Sequence, residues 1–371
     1  MDFSDKYLAW TLAVGWAAWA ANRFSVNLDR PLATWDEAIY FNAAQNVLAG
    51  RWLLPRFAFE SHPLPVIDPF LHKPPLVYWI QAAAMAAGGQ TPEIARWPSV
   101  IAMSGVVALT VLLAWHLSGL LTATLAGLVA LQIPALDGTH AANDVATDPF
   151  LLLFGVAAVY CLVRFVDSED NRWAWAAGVG YGLAIMAKSV AAAPFGLVVL
   201  PYLYRHRDAV GWHGFGRVVA GGCIVIVPWF LAASLLAFGE LIDQMFLRQV
   251  VGRATGSRYV EHNATFSFMR YPYLEDAPGY FGWPLWGLAL AAMVTIGRRW
   301  YTGQLDDVAI LLWPFSIGVI GLYILVGGNH LWYIMPAAVP ITLLVTDTSA
   351  TILVRVGEVV ATIVAFRSEP E

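Results

Sequence analysis

Apolar runs of roughly 17–25 residues recur along this chain, and each is long enough to cross about 30 Å of hydrocarbon as a helix. A chain with so many lipid-length segments must satisfy its backbone polar groups within each segment. Helices do this, whereas a barrel would show short segments of alternating polarity. Hydrophobic side chains make up 59% of the 371 residues and charged ones 13%, with a mean hydropathy of +0.61, too little polar surface for a water-soluble shell. The pattern predicts an all-α polytopic membrane protein, with residues 1–371 as a single membrane domain.

The predicted spans are 7–24, 98–116, 119–136, 149–166, 173–187, 190–204, 217–238, 281–297, 308–326 and 331–347. A weaker run, 350–366, contains Arg355 and Glu358 and either lies in the interface or begins a further region. The expected count is therefore about 10–11 transmembrane helices. The first run lacks a small-residue cleavage site followed by a polar mature chain, so a retained helix is expected. Segment 76–88 is apolar but has only 13 residues, about 20 Å of helix, which is short for a crossing. It is expected to be interfacial or re-entrant. Thr91 should cap the helix that follows, with Pro92 in its first turn.

Other function classes fall away on composition. A net charge of −5 and the lack of a basic stripe argue against a nucleic-acid partner. Cys161 and Cys223 both lie in apolar runs and are expected as buried thiols rather than a disulfide or metal site. Gly178-Val179-Gly180-Tyr181-Gly182 lies within a predicted span and follows no strand, so it fits close helix packing rather than a nucleotide loop.

Two polar intervals remain, 25–97 and 239–280. Long loops in compact proteins tend to carry function. Lys6, Arg164, Arg172, Arg205, Arg207, Arg217, Arg298 and Arg299 fall on one side by the helix count, which should be cytoplasmic. Both polar intervals then face outward. Arg248, Arg253, Arg258 and Arg270 lie on that outer side, where long loops obey the charge rule poorly and arginines can bind an anionic head group.

The adjacent acids Asp36-Glu37 follow the first apolar run closely. Acids beside hydrocarbon are costly, so they sit on a wetted shelf, do chemistry, or both. Asp36 can act as a general base or cap the helix that starts near Glu37. Glu37 suits an orienting neighbour or a partner of the helix dipole. Lys73 precedes Pro74-Pro75, where a rigid turn can present it as a phosphate clamp, or it can snorkel to the interface. Asp148 precedes Pro149 and reads both as a helix start and as a site acid, with Asp144 a lesser candidate. Lys188 separates two short apolar halves and should reach the outer interface from a hairpin tip.

In order, the chain carries Trp35-Asp36-Glu37-Ala38-Ile39-Tyr40, Gly50-Arg51-Trp52-Leu53-Leu54-Pro55, His72-Lys73-Pro74-Pro75-Leu76-Val77-Tyr78-Trp79, Asn143-Asp144-Val145-Ala146-Thr147-Asp148-Pro149, Ala187-Lys188-Ser189 and His330-Leu331-Trp332-Tyr333-Ile334-Met335-Pro336. This series, over about residues 34–340, resembles the GT-C membrane glycosyltransferases, in particular the protein O-mannosyltransferases and the lipid A aminoarabinose transferase. The resemblance implies a polyprenyl-phosphate-linked sugar as donor. It implies transfer to a hydroxyl or phosphate of a protein, lipid or glycan, with inversion, at the outer face of a bacterial inner membrane. It places Asp36 as catalytic base, with Glu37 and Asp148 beside it. Tyr40, His72, Lys73, Lys188, Arg253, His262, His330 and Tyr333 are the substrate-binding candidates, with Lys188, Arg253, His330 and Tyr333 nearly as well suited to interfacial anchoring. The family carries an acid where His72 stands, which can contribute to a metal site. His72 and His262 could ligate a divalent metal, but two histidines far apart in sequence define no site, and none is assigned. The family often has Lys-Gly where this chain has Lys188-Ser189, and its relatives carry a soluble outer domain not found among these 371 residues. The alternatives are a transporter or lipid flippase, disfavoured by the absence of a visible repeat, and a non-catalytic subunit of the same fold.

Overall fold

A computed structural model describes residues 3–58, 66–252, 272–303, 306–326 and 330–367. Arg253 and His262 lie outside the described residues. Among those described no strand forms, apart from one antiparallel bridge between Phe57 and Ile67.

Helix α1 (Phe3–Phe24) packs beside α4 (Pro92–Ser118) and α5 (Leu120–Ala130). Helix α6 (Asp148–Ser168) lies between α4 and α7 (Asn171–Lys188). A 3₁₀ turn, Ser189–Ala192, leads to the short helices α8 (Ala193–Val198) and α9 (Leu200–Arg205), and then to α10 (Arg207–Leu241). Helix α10 runs into a π-helical stretch, Ile242–Gly252. Further along come α11 (Pro272–Phe281), α12 (Trp283–Tyr301), α13 (Asp307–Val326) and, after a 3₁₀ segment Leu331–Ala337, α14 (Ala338–Arg367).

Several expected spans take a different form. Run 119–136 is a helix of 11 residues followed by a 3₁₀ turn, because Pro134 ends regular hydrogen bonding. Run 190–204 is broken, with Pro194 and Pro201 each opening a short helix. Runs 331–347 and 350–366 are not two spans: α14 is one continuous helix of 30 residues. Helices α11 and α12 meet at a bend of 108° at Gly282, whose φ of 91° no β-branched residue would adopt readily. Among the described residues 5 helices can cross a membrane by length and composition, or 6 if that bent pair is one span.

The glycine run on α7 packs as its sequence suggests. A Cβ on Gly178 would stand 2.1 Å from the Val218 carbonyl oxygen, and one on Gly182 would stand 2.9 Å from that of Gly222. Numbers rise together on both helices, so α7 and α10 run parallel with their backbones in contact. The chain therefore reverses at 188–192 and again near 205–207. Lys188 (φ −148°) and Ser189 (φ 51°) make the first reversal. Cys223, expected to be buried, is exposed on α10, much of whose apolar surface is exposed among the described residues.

The two ends of the bundle differ. At one end Ser118 donates to Asp347 (2.7 Å), Arg205 to Asp307 (2.8 Å) and Arg299 to Asp306 (2.9 Å), and His116 pairs with Asp167. The basic loop residues gather there. At the other end lie α2 (Trp35–Leu48) and α3 (Leu76–Gly88). Helix α3 keeps the 13 residues expected of it, bounded by Pro74-Pro75 and by Gly89 at φ 102°. Thr91 caps α4 by accepting from the Ile94 amide (3.3 Å), with Pro92 at its start. Helices α2 and α3 share a small core of Tyr40, Ala43, Ala44, Tyr78, Ala82 and Met85.

Candidate active site

The entry to α2 explains how an acid comes to stand free of structural duty. Thr34 is the N-cap, and its hydroxyl accepts from the Glu37 amide (3.1 Å). Glu37 reaches back to accept from the Ala33 amide (2.8 Å), a capping-box arrangement shifted by one residue. Asp36 therefore does not cap the helix. Its carboxylate points away and accepts from the Tyr40 hydroxyl one turn on (3.2 Å). Tyr40 also receives the Lys73 ammonium, which lies 4.4 Å from the centre of its ring.

Glu37 is buried and fully engaged. Its other oxygen accepts from Arg96 Nε (2.6 Å) and the Val145 amide (3.0 Å). Arg96, also buried, spends its remaining donors on the carbonyls of Leu28, Arg30 and Pro31. Arg30 in turn bonds the Asn143 carbonyl (3.0 Å) and the Asp144 carboxylate, which accepts from the His140 amide (2.7 Å). This network fixes α2 against α4 and against the loop 137–147. Glu37 and Asp144 thus position the neighbouring segments rather than face the opening beside Asp36. Burial alone would raise the Glu37 carboxyl, but the Arg96 bond and charge and the two amides bring it below its ordinary value.

At α6, Thr147 is the N-cap residue and Asp148 begins the helix. The Asp148 carboxylate takes the Lys188 ammonium on both oxygens, and both side chains are buried. Lys188 therefore does not reach the outer interface as expected from a hairpin tip. A buried ammonium is tenable only with such a partner.

His140 joins these two halves. Nε2 stands 3.7 Å from Asp36 Oδ2, and Nδ1 stands 3.9 Å from Asp148 Oδ2. Its φ of 64° turns the ring inward, and the ring stacks on Trp332 at 4.1 Å. Trp332 stacks in turn on His330 (4.4 Å). Tyr333 lies against His330 (5.5 Å) and beneath Lys188 (5.4 Å). His72, expected near Lys73, packs its ring on Phe70 at 4.9 Å.

The structure thus brings together Asp36, Tyr40, Lys73, Asp148, Lys188, His330 and Tyr333, and adds His140 and Trp332, with Arg96 behind them as the partner of Glu37. The Asp36 side chain is 37% exposed, so it has an open side as well as a charged one. Burial pushes its carboxyl up, but Lys73, His140, Lys188 and His330 together outweigh this and hold it below its ordinary 3.8. Burial is also the main reason the His140 imidazole sits below its ordinary 6.5, with Lys188 and Lys73 acting in the same sense and Asp148 and Asp36 opposing. At neutral pH the pair is a carboxylate beside a neutral imidazole. Among the described residues no three His, Cys, Asp or Glu side chains converge as metal ligands.

Comparison with solved structures decides the architecture. The chain matches ArnT from Cupriavidus metallidurans bound to undecaprenyl phosphate with a TM-score of 0.72 and 19% identity, covering 90% of this chain and 59% of that one. The chain has a GT-C fold. The apo form of the same ArnT gives a TM-score of 0.72 at 21% identity, covering 90% of this chain and 58% of that one. The Archaeoglobus fulgidus oligosaccharyltransferase in its apo form gives 0.63 at 14% identity, covering 100% of this chain and 53% of that one. This GT-C chain therefore spans between half and three-fifths of the length of these relatives. At such identities the likeness is one of fold. Residues 72–229 also match the family described as dolichyl-phosphate-mannose-protein mannosyltransferase. That stretch contains Lys73, His140, Asp148 and Lys188, but not Asp36. No protein of curated function matches by sequence.

Proposed function

We propose that this protein transfers a sugar from a polyprenyl-phosphate donor to an acceptor hydroxyl or phosphate at the outer membrane face, with inversion. The reading rests on one observation above all: a single hydroxyl, that of Tyr40, links an ionised, half-open carboxylate (Asp36) to an ammonium (Lys73). A lipid-phosphate sugar already carries its leaving group. Transfer then needs a base for the incoming nucleophile and a counter-charge for the departing phosphate. Asp36 serves as the base and Lys73 as the counter-charge, one on each side of the anomeric carbon.

Direct displacement is supported by the acids beside Asp36 among the described residues. A double displacement needs a second free carboxylate as nucleophile. Asp148 is held by Lys188, and Glu37 by Arg96. With Lys188 paired to Asp148, Lys73 is the cation that the described residues offer the phosphate beside Asp36, and His330 and Tyr333 border the same space. The lipid phosphate bound in ArnT and the family of the matched segment support this donor class. The basic loops at the opposite end of the bundle support an outward site.

The test uses the full chain in lipid nanodiscs with a membrane extract as source of acceptor. Undecaprenyl-phosphate-linked mannose, glucose, N-acetylglucosamine and 4-amino-4-deoxyarabinose are offered in turn. Consumption of one donor, weaker binding by Lys73→Ala, and binding without turnover by Asp36→Asn are the expected results. A folded protein that consumes none of them sinks the transferase reading and favours lipid transport.

A further inference from the structure

His140 belongs to no motif in the sequence, yet it is the group best placed to act on Asp36. It is buried, it stands between Asp36 and Asp148, and its left-handed backbone is secured by the Asp144 carboxylate on its own amide. One face of its ring is covered by Trp332. Neither ring nitrogen is within hydrogen-bond distance of the Asp36 or Asp148 carboxylate, at 3.7 Å and 3.9 Å. The geometry has the form of an acid, an imidazole and a second acid in line, slack enough to tighten when a substrate displaces solvent.

We infer that His140 is the proton outlet of Asp36: it takes up the proton that Asp36 removes from the acceptor and passes it to solvent, with Asp148 steadying the imidazolium. This rests on the transferase reading. The step balances as follows. The acceptor oxygen forms its bond to the anomeric carbon, and the bond from that carbon to the phosphate oxygen breaks, its electron pair leaving with the phosphate. The acceptor proton goes to the Asp36 carboxylate, then to His140 Nε2, then to water, and Asp36 is ionised again for the next turnover.

The outlet follows from where water can reach. With donor and acceptor seated on the open side of Asp36, no solvent stands beside its carboxyl; cations crowd it and favour its ionised form, so a proton it takes up leaves readily, and the His140 ring nitrogen 3.7 Å away is the base in reach. An imidazole, ordinarily near 6.5 against 3.8 for the carboxyl, is the downhill destination. The charged and titratable groups facing His140 are Asp36, Asp148, Lys188, Lys73 and, across Trp332, His330. The two carboxylates favour the imidazolium and the two lysines oppose it.

Two measurements on the full chain in nanodiscs test the inference. The first needs no turnover. Ring-labelled histidine is titrated by NMR, and Asp36→Asn is expected to move the His140 midpoint to lower pH, because a stabilising anion is lost. An unmoved midpoint overturns the outlet whatever the activity. The second compares His140→Asn, which tolerates the left-handed backbone, and His140→Gly, each checked for an unchanged melting temperature. On the donor consumed in the panel, kcat is expected to fall about 100-fold in both with KM unchanged. Wild-type kcat should fall as pH drops through the His140 titration, a limb absent from His140→Asn, and added imidazole should restore turnover to His140→Gly by stacking on Trp332. If Asp36→Asn is inactive while His140→Asn turns over at the wild-type rate, the outlet is wrong and the transferase reading stands. If the folded wild type consumes no donor, the transferase reading falls and takes the outlet with it.

Discussion

Glu37 and Asp36 are neighbours with opposite duties, and the difference comes from where each side chain can go. Asp36 lies on the open side of the first turn, whereas Glu37 is pulled under it, onto Arg96. An arginine buried this deeply is tolerable only because Nε meets the Glu37 carboxylate and the terminal nitrogens donate to three carbonyls. Replacing Glu37 by Gln strips the anion and leaves the guanidinium buried. We expect a loss of about 3–5 kcal/mol, read as a lower midpoint in chemical unfolding of the purified protein. The sign with pH follows. The Glu37 carboxyl is depressed in the fold, so its contribution is fully present above its ordinary 4.5 and is lost as pH falls through the lowered value. The Gln variant should show no such acid-dependent loss, and equal acid sensitivity of the two proteins would refute the assignment.

At the scale of elements, α7 is held by direct backbone packing against α10. Its glycines admit the α10 backbone to a distance no side chain permits, and Lys188, which holds Asp148, sits at its end. Gly178→Ala should push α7 and α10 apart at a cost of about 1–3 kcal/mol, measured as a fall in melting temperature. Gly15→Ala on α1, where a Cβ meets nothing within 4 Å, is the control and should be neutral or slightly stabilising. A Gly178→Ala protein as stable as wild type would mean the two helices slide freely. The glycine run, the short α3 and the Thr91 cap were all legible in the sequence, because each depends on local chemistry. Asp36, Tyr40, Lys73 and Asp148 were legible through their order along the chain. His140 was not: it becomes a neighbour of Asp36 only because its own φ is positive and Asp144 holds the loop, and neither fact has a periodic trace. Arg96 left a faint signal, a lone arginine at the mouth of an apolar helix, which needs a buried anion. Trp332 lies in the quoted His330–Pro336 stretch, but among 17 tryptophans nothing in the sequence marks its ring as the partner of His140. The continuity of α14 was hidden by Arg355 and Glu358, which interrupt the apolar run without breaking the helix.

At the scale of the whole molecule, the two ends of the bundle make opposite chemical offers: ion pairs exposed to water at one, an enclosed chain of charges and rings at the other. Orientation can be read directly. In a chain carrying Cys161→Ala and Cys223→Ala, a single cysteine in place of Arg51 should react with a membrane-impermeant maleimide in intact cells. One in place of Asp208 should react only after permeabilisation. The reverse pattern would turn the site inward. The stack of His140 on Trp332 adds a temporal consequence. Asp36 and Lys73 leave the ribosome early, whereas Trp332 follows only after the intervening helices have been made and inserted. A nascent chain therefore holds Asp36 and Lys73 apart from the ring that completes their surroundings until the segment Leu331–Ala337 has been made. Incompletely assembled copies carry the acid without its full setting, and the proposed transfer would be confined to molecules in which the loop 137–147 has met that segment.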